Sequence, residues 1–191
     1  MRSFRLEKIW LLSEREQKAR AITLSPDATA LVGTNHTGKS TVTRSLLYVL
    51  GCSTRPLGGE WDSEAIVAVE FNIEGQKHTL LKRGGLHTLF DSDKQPLWAA
   101  SDSGELRDRL AELLDFNLFL TANKTNEVRP ARPAFFFVPF FVDQDGSWDS
   151  SWGTFRGLGE FQQWERATLD LALGIRPPEY WKAANELAKK K

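Results

Sequence analysis

The sequence predicts an α/β fold, and three observations support that prediction. A glycine-rich loop separates a short apolar run from a helical stretch, segments of period-two alternation follow it, and the final third is apolar at helical spacing. Period two is typical of half-buried strands, and apolar residues three or four apart are typical of packed helices. The 191 residues are enough for one domain with a hydrophobic core.

The glycine-rich loop fits the pattern G-x-x-x-x-G-K-[ST]. In such a loop the glycines let backbone N–H groups turn toward phosphate oxygens, the lysine reaches the β- and γ-phosphates, and the next hydroxyl is a ligand for Mg²⁺. The following helix directs its positive end at the anion. The sequence therefore predicts a nucleotide site made by Gly33, Thr34, Asn35, His36, Thr37, Gly38, Lys39, Ser40 and Thr41.

The elements around this loop occur in the order that the site needs. Strands are predicted over residues 3–12 and 20–24, and a third, buried strand over 28–32 leads into the loop. A helix over 41–50 follows it. This context favours a phosphate site over the alternative of a glycine-rich turn that binds nothing.

Two arginines, Arg15 and Arg20, lie on the approach to the loop. We expect them to touch the adenine or the α-phosphate of a bound nucleotide. For either arginine alone, a solvated polar position is the alternative.

An antiparallel β-meander is predicted after the first helix. Residues 65–73, 77–83 and 86–90 form strand patterns separated by turn sequences. A doubly wound kinase would continue with alternating helices and parallel strands instead. His78 and His87 lie in the meander without a cysteine or acidic partner at ligand spacing, so we expect ordinary strand positions.

The second half begins with one helix and one aromatic strand. An amphipathic helix is predicted over 105–114, with Asp102 or Ser103 as its cap. Residues 134–142 (AFFFVPFFV) are too few to span a membrane and predict a buried strand, with an edge or a bulge at Pro139.

The last third of the chain is predicted to be helical. A first helical face carries Phe161, Trp164, Thr168, Leu171 and Ile175. A second helix begins near Glu179 and is still unfinished at Lys191, which predicts a segment of a longer polypeptide. We therefore expect one lobe over residues 1–175 and the start of a helix or coiled-coil arm over 176–191.

Composition excludes several classes of protein. Lys+Arg and Asp+Glu number 25 each, so no global positive charge indicates nucleic acid. The single cysteine excludes an intrachain disulfide and an all-cysteine metal site. The charged N-terminus and the lack of a long apolar run predict a cytoplasmic protein that makes no membrane contact.

The order of elements resembles the N-terminal half of an ATPase head of the SMC and RecN type, within the ABC ATPase superfamily. The resemblance covers the strand pair, the loop at 33–40, the meander, a strand that ends in a glutamine, and the departing helix. It implies a P-loop NTPase fold, that of an ABC-type head lobe whose C-terminal helix leads toward a coiled coil. It also implies ATP and Mg²⁺ as ligands, and Gln144 as the catalytic glutamine that contacts Mg²⁺ and the attacking water. The Walker B acidic pair, the Leu-Ser-Gly-Gly-type signature and the switch histidine of that family have no match in this chain.

The same resemblance implies partners. In this family ATP closes two heads and hydrolysis opens them, so we expect a second head in a homodimer. DNA is expected to bind through the full assembly, in repair, chromosome organisation or phage defence. Residues 140–146 (FFVDQDG) also resemble ATPases of prokaryotic defence systems such as Lamassu, which implies accessory or effector subunits.

Two alternatives stay open at this point. Residues 138–142 followed by Asp143 also match a Walker B strand. In that case Asp143 would bind Mg²⁺ and Asp145 would lie nearby as a base. The chain would then be a self-contained P-loop kinase or GTPase. The meander, Pro139 and the unfinished last helix count against it. In the second alternative the loop binds nucleotide without turnover, and a partner binds an aromatic cluster, although such rings are more often core: Trp148, Trp152, Phe155, Phe161 and Trp164.

Overall fold

The computed structural model describes residues 3–35, 37–54, 62, 64–142, 152–153, 155–176 and 178–189. These residues belong to two compact units. The sheet unit comprises Arg2–Gly51 and Pro56–Leu106, and the helical unit comprises Cys52–Arg55 and Arg107–Lys191 together with Met1. The division at Leu106 falls inside residues 1–175, which the sequence predicts to form one lobe. That these residues act as a single domain stays a prediction.

The sheet unit contains one antiparallel sheet of six strands in the order β2-β1-β3-β4-β5-β6. This arrangement confirms the predicted N-terminal strand pair and the meander, and it adds an unpredicted edge strand, β6. The strands are β1 (Phe4–Ser13), β2 (Lys18–Thr23), β3 (Ile66–Ile73), β4 (Gln76–Arg83), β5 (Leu86–Phe90) and β6 (Pro96–Ala100).

One face of this sheet forms the core of the unit. Val69 pairs with Ile9 of β1 and with Leu80 of β4, and Leu80 in turn pairs with Leu89 of β5. All four side chains are buried, and burying each one stabilises the fold by about 1.5–3 kcal/mol. Helix α1 (Lys39–Val49) contacts β3 and β4, so this core fixes the position of the helix that begins at the candidate site.

The buried face also carries polar groups. His78 and His87 occupy strand positions in β4 and β5, as expected from the sequence. Burial, together with the positive charge of Lys82 opposite it, lowers the pKa of His87 to about 4. Burial also lowers the pKa of Lys82, whose ammonium lies 4.5 Å from the centre of the Tyr48 ring on α1. His87 is therefore neutral near pH 7, and the cation beside it faces an aromatic ring.

The predicted third strand over residues 28–32 is wrong. These residues form no strand, all but Leu31 are exposed, and Val32 is 89% exposed. A strand needs a neighbour for its backbone N–H and C=O groups. The ladders of the described residues pair β1 to β6 with one another and offer none to this segment.

The helical unit is organised around a short buried helix where the sequence predicts a strand. Residues 134–142 are not a strand: α3 (Pro133–Phe137) is followed by a single 3₁₀ turn over Val138–Phe140. Pro133 stands at the first helical position, where a missing N–H costs nothing. All five residues of α3 are buried, so the run is apolar on every side and carries no period that separates helix from strand.

Aromatic rings from other elements pack on α3. The ring centroids of Phe135 and Phe161 are 5.6 Å apart, and those of Phe135 and Trp164 are 5.7 Å apart, both in edge-on geometry. Phe155 is also buried, and Trp152 lies 5.5 Å from Trp164. Among the described members of the predicted aromatic cluster, Phe155 and Phe161 are buried, and the half-buried Trp152 and Trp164 pack on each other, which agrees with the core interpretation. Trp148 lies outside the described residues.

The remaining elements agree with the sequence in outline. Asp102 Oδ1 accepts hydrogen bonds from the N–H groups of Gly104 and Glu105, so it caps helix α2 (Ser103–Leu114) as predicted. A hairpin of two three-residue strands, β7 (Phe119–Thr121) and β8 (Val128–Pro130), was not predicted. Helix α4 (Trp164–Ala172) ends before Ile175, which is exposed, and α5 (Pro178–Lys189) begins near the expected Glu179.

Within the described ranges, no helix combines the length and the apolar character that a membrane crossing requires.

Candidate functional site

The glycine-rich loop ends where α1 begins. Gly38 is the residue before the helix and has a left-handed backbone, with φ of 83°. Glycine adopts this conformation without the steric penalty that a Cβ brings. The first helical hydrogen bond, from Val42 N–H to Gly38 O, is 3.0 Å long. The second fixed glycine of the pattern is thus the residue that turns the chain from the loop into the helix.

The side chain of Lys39 folds back over the loop. Its Nζ donates hydrogen bonds to the carbonyl oxygens of Gly33 at 2.9 Å and Thr34 at 2.6 Å, and lies 3.5 Å from Thr37 Oγ1. These acceptors hold the ammonium group at the loop although its residue belongs to the helix. A fixed positive charge therefore lies where the sequence predicts phosphate.

The N-terminus of α1 adds a second favourable feature for an anion. Its N-cap residue, Gly38, has no side chain that could cap this end of the helix, and the first turn contains no acidic residue. The first N–H groups of a helix have no acceptor within the helix, and they carry the positive end of its dipole. Lys39, Ser40 and Thr41 supply these groups. An anion can therefore approach without displacing a protein carboxylate.

Ser40 is the residue that could bind a metal ion. It is exposed in the first turn of α1, and in the described part of the chain its hydroxyl makes no hydrogen bond, while its carbonyl oxygen accepts one from Thr43 Oγ1 at 3.1 Å. Mg²⁺ is usually held by one or two protein groups together with phosphate oxygens and water. The described residues contain no cluster of three or more His, Cys, Asp or Glu side chains that could hold a metal. A single hydroxyl beside the predicted phosphate site fits the expectation of Mg²⁺ that binds together with a nucleotide.

Replacing Ser40 by alanine is expected to weaken ATP binding in Mg²⁺ by about three- to tenfold, because one ligand of the ion is lost. In EDTA the dissociation constant for ATP is expected to change by less than about twofold, since the contacts between the loop and the phosphates remain. Titration of fluorescent ATP in both buffers measures the difference. An equal loss of affinity in EDTA would show damage to the loop and would contradict a metal-binding role.

The two arginines lie on the first hairpin. Arg15 is in the turn between β1 and β2, with its Nη2 3.6 Å from Glu16 Oε1. A hydrogen bond from Ser13 and, to a lesser degree, the charge of Arg15 hold the pKa of Asp62 below its usual value. Arg20 lies exposed on edge strand β2, opposite Leu11. Contact of either arginine with adenine or the α-phosphate stays a prediction.

Several residues of the predicted site fall outside the described ranges. His36 of the loop is one of them, and so are Asp143, Gln144 and Asp145 after the aromatic run. The structure brings Gly33, Thr34, Thr37 and Lys39 together by hydrogen bonds and places Ser40 and Thr41 on the adjoining helical turn. Asn35 is exposed in the same loop.

Comparison with known proteins gives no matching family model. The chain is 26% identical over 165 residues to Lamassu protein LmuB of Bacillus cereus (strain VD014), covering 86% of this chain and 29% of that protein. It is 24% identical over 139 residues to Lamassu protein LmuB of a Bacillus species (strain NCIM 5461), covering 72% of this chain and 24% of that protein. The chain thus spans less than a third of the length of these curated relatives. The chain is thus similar in sequence to part of Lamassu protein LmuB.

Proposed function

We propose that this chain is the ATP-binding part of an SMC-like ATPase in a Lamassu-type anti-phage defence system. The observation that carries the proposal is the loop of residues 33–40, in which Lys39 bonds the carbonyls of Gly33 and Thr34 in front of an uncapped helix. The similarity to Lamassu protein LmuB supports the biological setting.

In this proposal the chain's own residues bind and orient the nucleotide. Lys39 gives up some of its hydrogen bonds to the carbonyl oxygens of the loop and donates to phosphate oxygens instead. The bond between ammonium and phosphate is charge-assisted and therefore stronger than a hydrogen bond between neutral groups. The N–H groups of the first turn of α1 would donate hydrogen bonds to the anion, and the Ser40 hydroxyl would be a ligand of Mg²⁺. ATP with Mg²⁺ supplies the phosphoryl group whose transfer to water releases the stored free energy.

The proposal assigns the rest of the catalytic unit to other segments. Residues 28–32 have the composition of a buried strand but are exposed at every position except Leu31, and they have no neighbour among the described strands. Because the chain spans less than a third of its relatives, we propose that further sequence supplies that neighbour and the acidic residues of the metal site. A second head then closes on ATP, and DNA and accessory subunits bind to the full assembly.

The alternative of a self-contained kinase or GTPase has lost part of its support. It requires a buried strand that runs directly into Asp143. The residues before Asp143 instead form α3 and a 3₁₀ turn, and Phe140 and Val142 are exposed. Nucleotide binding without turnover, in an interaction module, is the second alternative. It predicts no hydrolysis even after the other half of the proposed head is added, whereas the main proposal predicts turnover in that mixture.

The biological part of the proposal is tested in bacteria. The complete gene and its neighbours are expected to protect a host from phage, and Lys39→Ala is expected to remove most of that protection, because nucleotide binding is strongly weakened. The efficiency of plaque formation measures it, with immunoblots to confirm equal protein levels. Lys124→Ala, which removes an exposed lysine of the helical unit, serves as the matched control. Full protection by the Lys39→Ala protein would contradict the proposal.

A further inference from the structure

Thr37 occupies a position that the loop pattern leaves free, yet its hydroxyl has a defined place. Thr37 Oγ1 donates a hydrogen bond of 2.8 Å to the carbonyl oxygen of Thr34. The same carbonyl accepts the 2.6 Å hydrogen bond from Lys39 Nζ, which itself lies 3.5 Å from Thr37 Oγ1. Threonine, lysine and one carbonyl oxygen thus form a closed triangle of polar contacts.

The first glycine of the loop packs against the same hydroxyl. A Cβ added at Gly33 would lie 2.7 Å from Thr37 Oγ1, closer than side-chain contacts allow. The carbonyl oxygen of Gly33 is the other main acceptor of Lys39. The Thr37 side chain therefore lies against both residues whose carbonyl oxygens hold the ammonium group.

This arrangement has an electrostatic consequence. The carbonyl oxygens of Gly33 and Thr34 are the negative ends of their peptide dipoles and would repel phosphate if they faced it. Lys39 neutralises both of them, and the hydroxyl of Thr37 donates a further hydrogen bond to that of Thr34. A loop held in its binding conformation before the ligand arrives loses less conformational entropy on binding.

We propose that Thr37 is a positioning residue for the nucleotide, whose hydroxyl holds the Thr34 carbonyl and so sets the place of the Lys39 ammonium group. The inference rests on the proposed function, because it concerns how the same loop binds ATP. It adds a requirement for a hydroxyl at a position where the pattern accepts any residue.

The test uses three substitutions in the 191-residue chain and the fluorescent nucleotide mant-ATP with Mg²⁺. Thr37→Val keeps the shape of the side chain but removes the hydroxyl, and it is expected to raise Kd by about three- to tenfold, as for one lost hydrogen bond. Thr37→Ser restores the hydroxyl and is expected to stay within about twofold of the wild type. Thr43→Val removes a similar bond, from a threonine hydroxyl to the carbonyl three residues earlier, and is expected to leave Kd unchanged.

The outcomes separate this inference from the proposed function. A wild-type Kd for Thr37→Val, an equal loss in Thr37→Ser, or an equal loss in Thr43→Val would overturn the inference, provided that Lys39→Ala still weakens binding by about tenfold or more. If the wild type binds no mant-ATP, or if Lys39→Ala binds it as well as the wild type, the proposed function fails and this inference fails with it. Equal unfolding temperatures of all variants by circular dichroism confirm that the fold is unchanged.

Discussion

Lys39→Ala is expected to weaken ATP binding by about ten- to a hundredfold, because a hydrogen bond to a charged group contributes about 1.5–3 kcal/mol. Two effects act in the same direction. The phosphates lose a charge-assisted partner, and the carbonyl oxygens of Gly33 and Thr34 lose the ammonium group that bonds them. Titration of fluorescent ATP against the wild type and the variant measures the ratio of dissociation constants.

A matched control variant and a stability measurement show whether the loss of affinity is specific to Lys39. Lys124→Ala removes an exposed lysine from the helical unit and is expected to leave the dissociation constant unchanged. The unfolding temperature of Lys39→Ala is expected to stay near that of the wild type, since the loop is exposed and the core under α1 is untouched. Equal dissociation constants for Lys39→Ala and the wild type would remove the assignment of the loop.

The residues of a segment were enough to predict the elements that carry a regular apolar period. Strands β3 and β5 alternate with period two between buried and more exposed residues, and α1 and α2 have one apolar side, so each of these could be predicted from its own residues. The unpredicted strands lack that signal. Strand β6 begins with Pro96 at the edge of the sheet, and β7 has only three residues.

In both wrong predictions, the residues of the segment alone do not determine its secondary structure. Residues 28–32 are apolar and β-branched enough for a strand, but a strand forms only beside a neighbouring strand, and the segment's own sequence does not show whether it has one. Residues 134–142 are apolar at almost every position, so their sequence has no period. Burial on all sides and the proline at the first helical position decide for a helix instead.

The candidate site could be predicted as a set of positions but not as a network. The pattern identified Gly33, Gly38, Lys39 and Ser40, and the left-handed backbone of Gly38 agrees with its need for glycine. The acceptors of Lys39 and the bond from Thr37 to Thr34 depend on how the loop closes in three dimensions. Thr34 and Thr37 stand at positions where the pattern accepts any residue, and Gly33 takes part through its backbone carbonyl, so only the structure could reveal these bonds.

The isolated chain is expected to bind ATP but not to hydrolyse it above the background of buffer. Hydrolysis needs a positioned water, a complete metal site and stabilisation of charge on the transferring phosphoryl group. In our proposal this chain supplies Lys39, Ser40 and Gln144, and the Walker B carboxylates and the signature loop come from elsewhere. Once the missing half of the head is added, turnover is expected to rise more than linearly with protein concentration, because two heads must meet. Gln144→Ala is then expected to lower turnover and to spare nucleotide affinity.

Steady-state phosphate release by the purified chain, measured on the same sample whose ATP affinity has been titrated, tests this account most directly. We predict saturable binding that depends on Lys39, together with phosphate release at the level of buffer alone. Turnover well above background that is independent of protein concentration and stops with Asp143→Asn would contradict the account, since the chain would then be a complete P-loop enzyme.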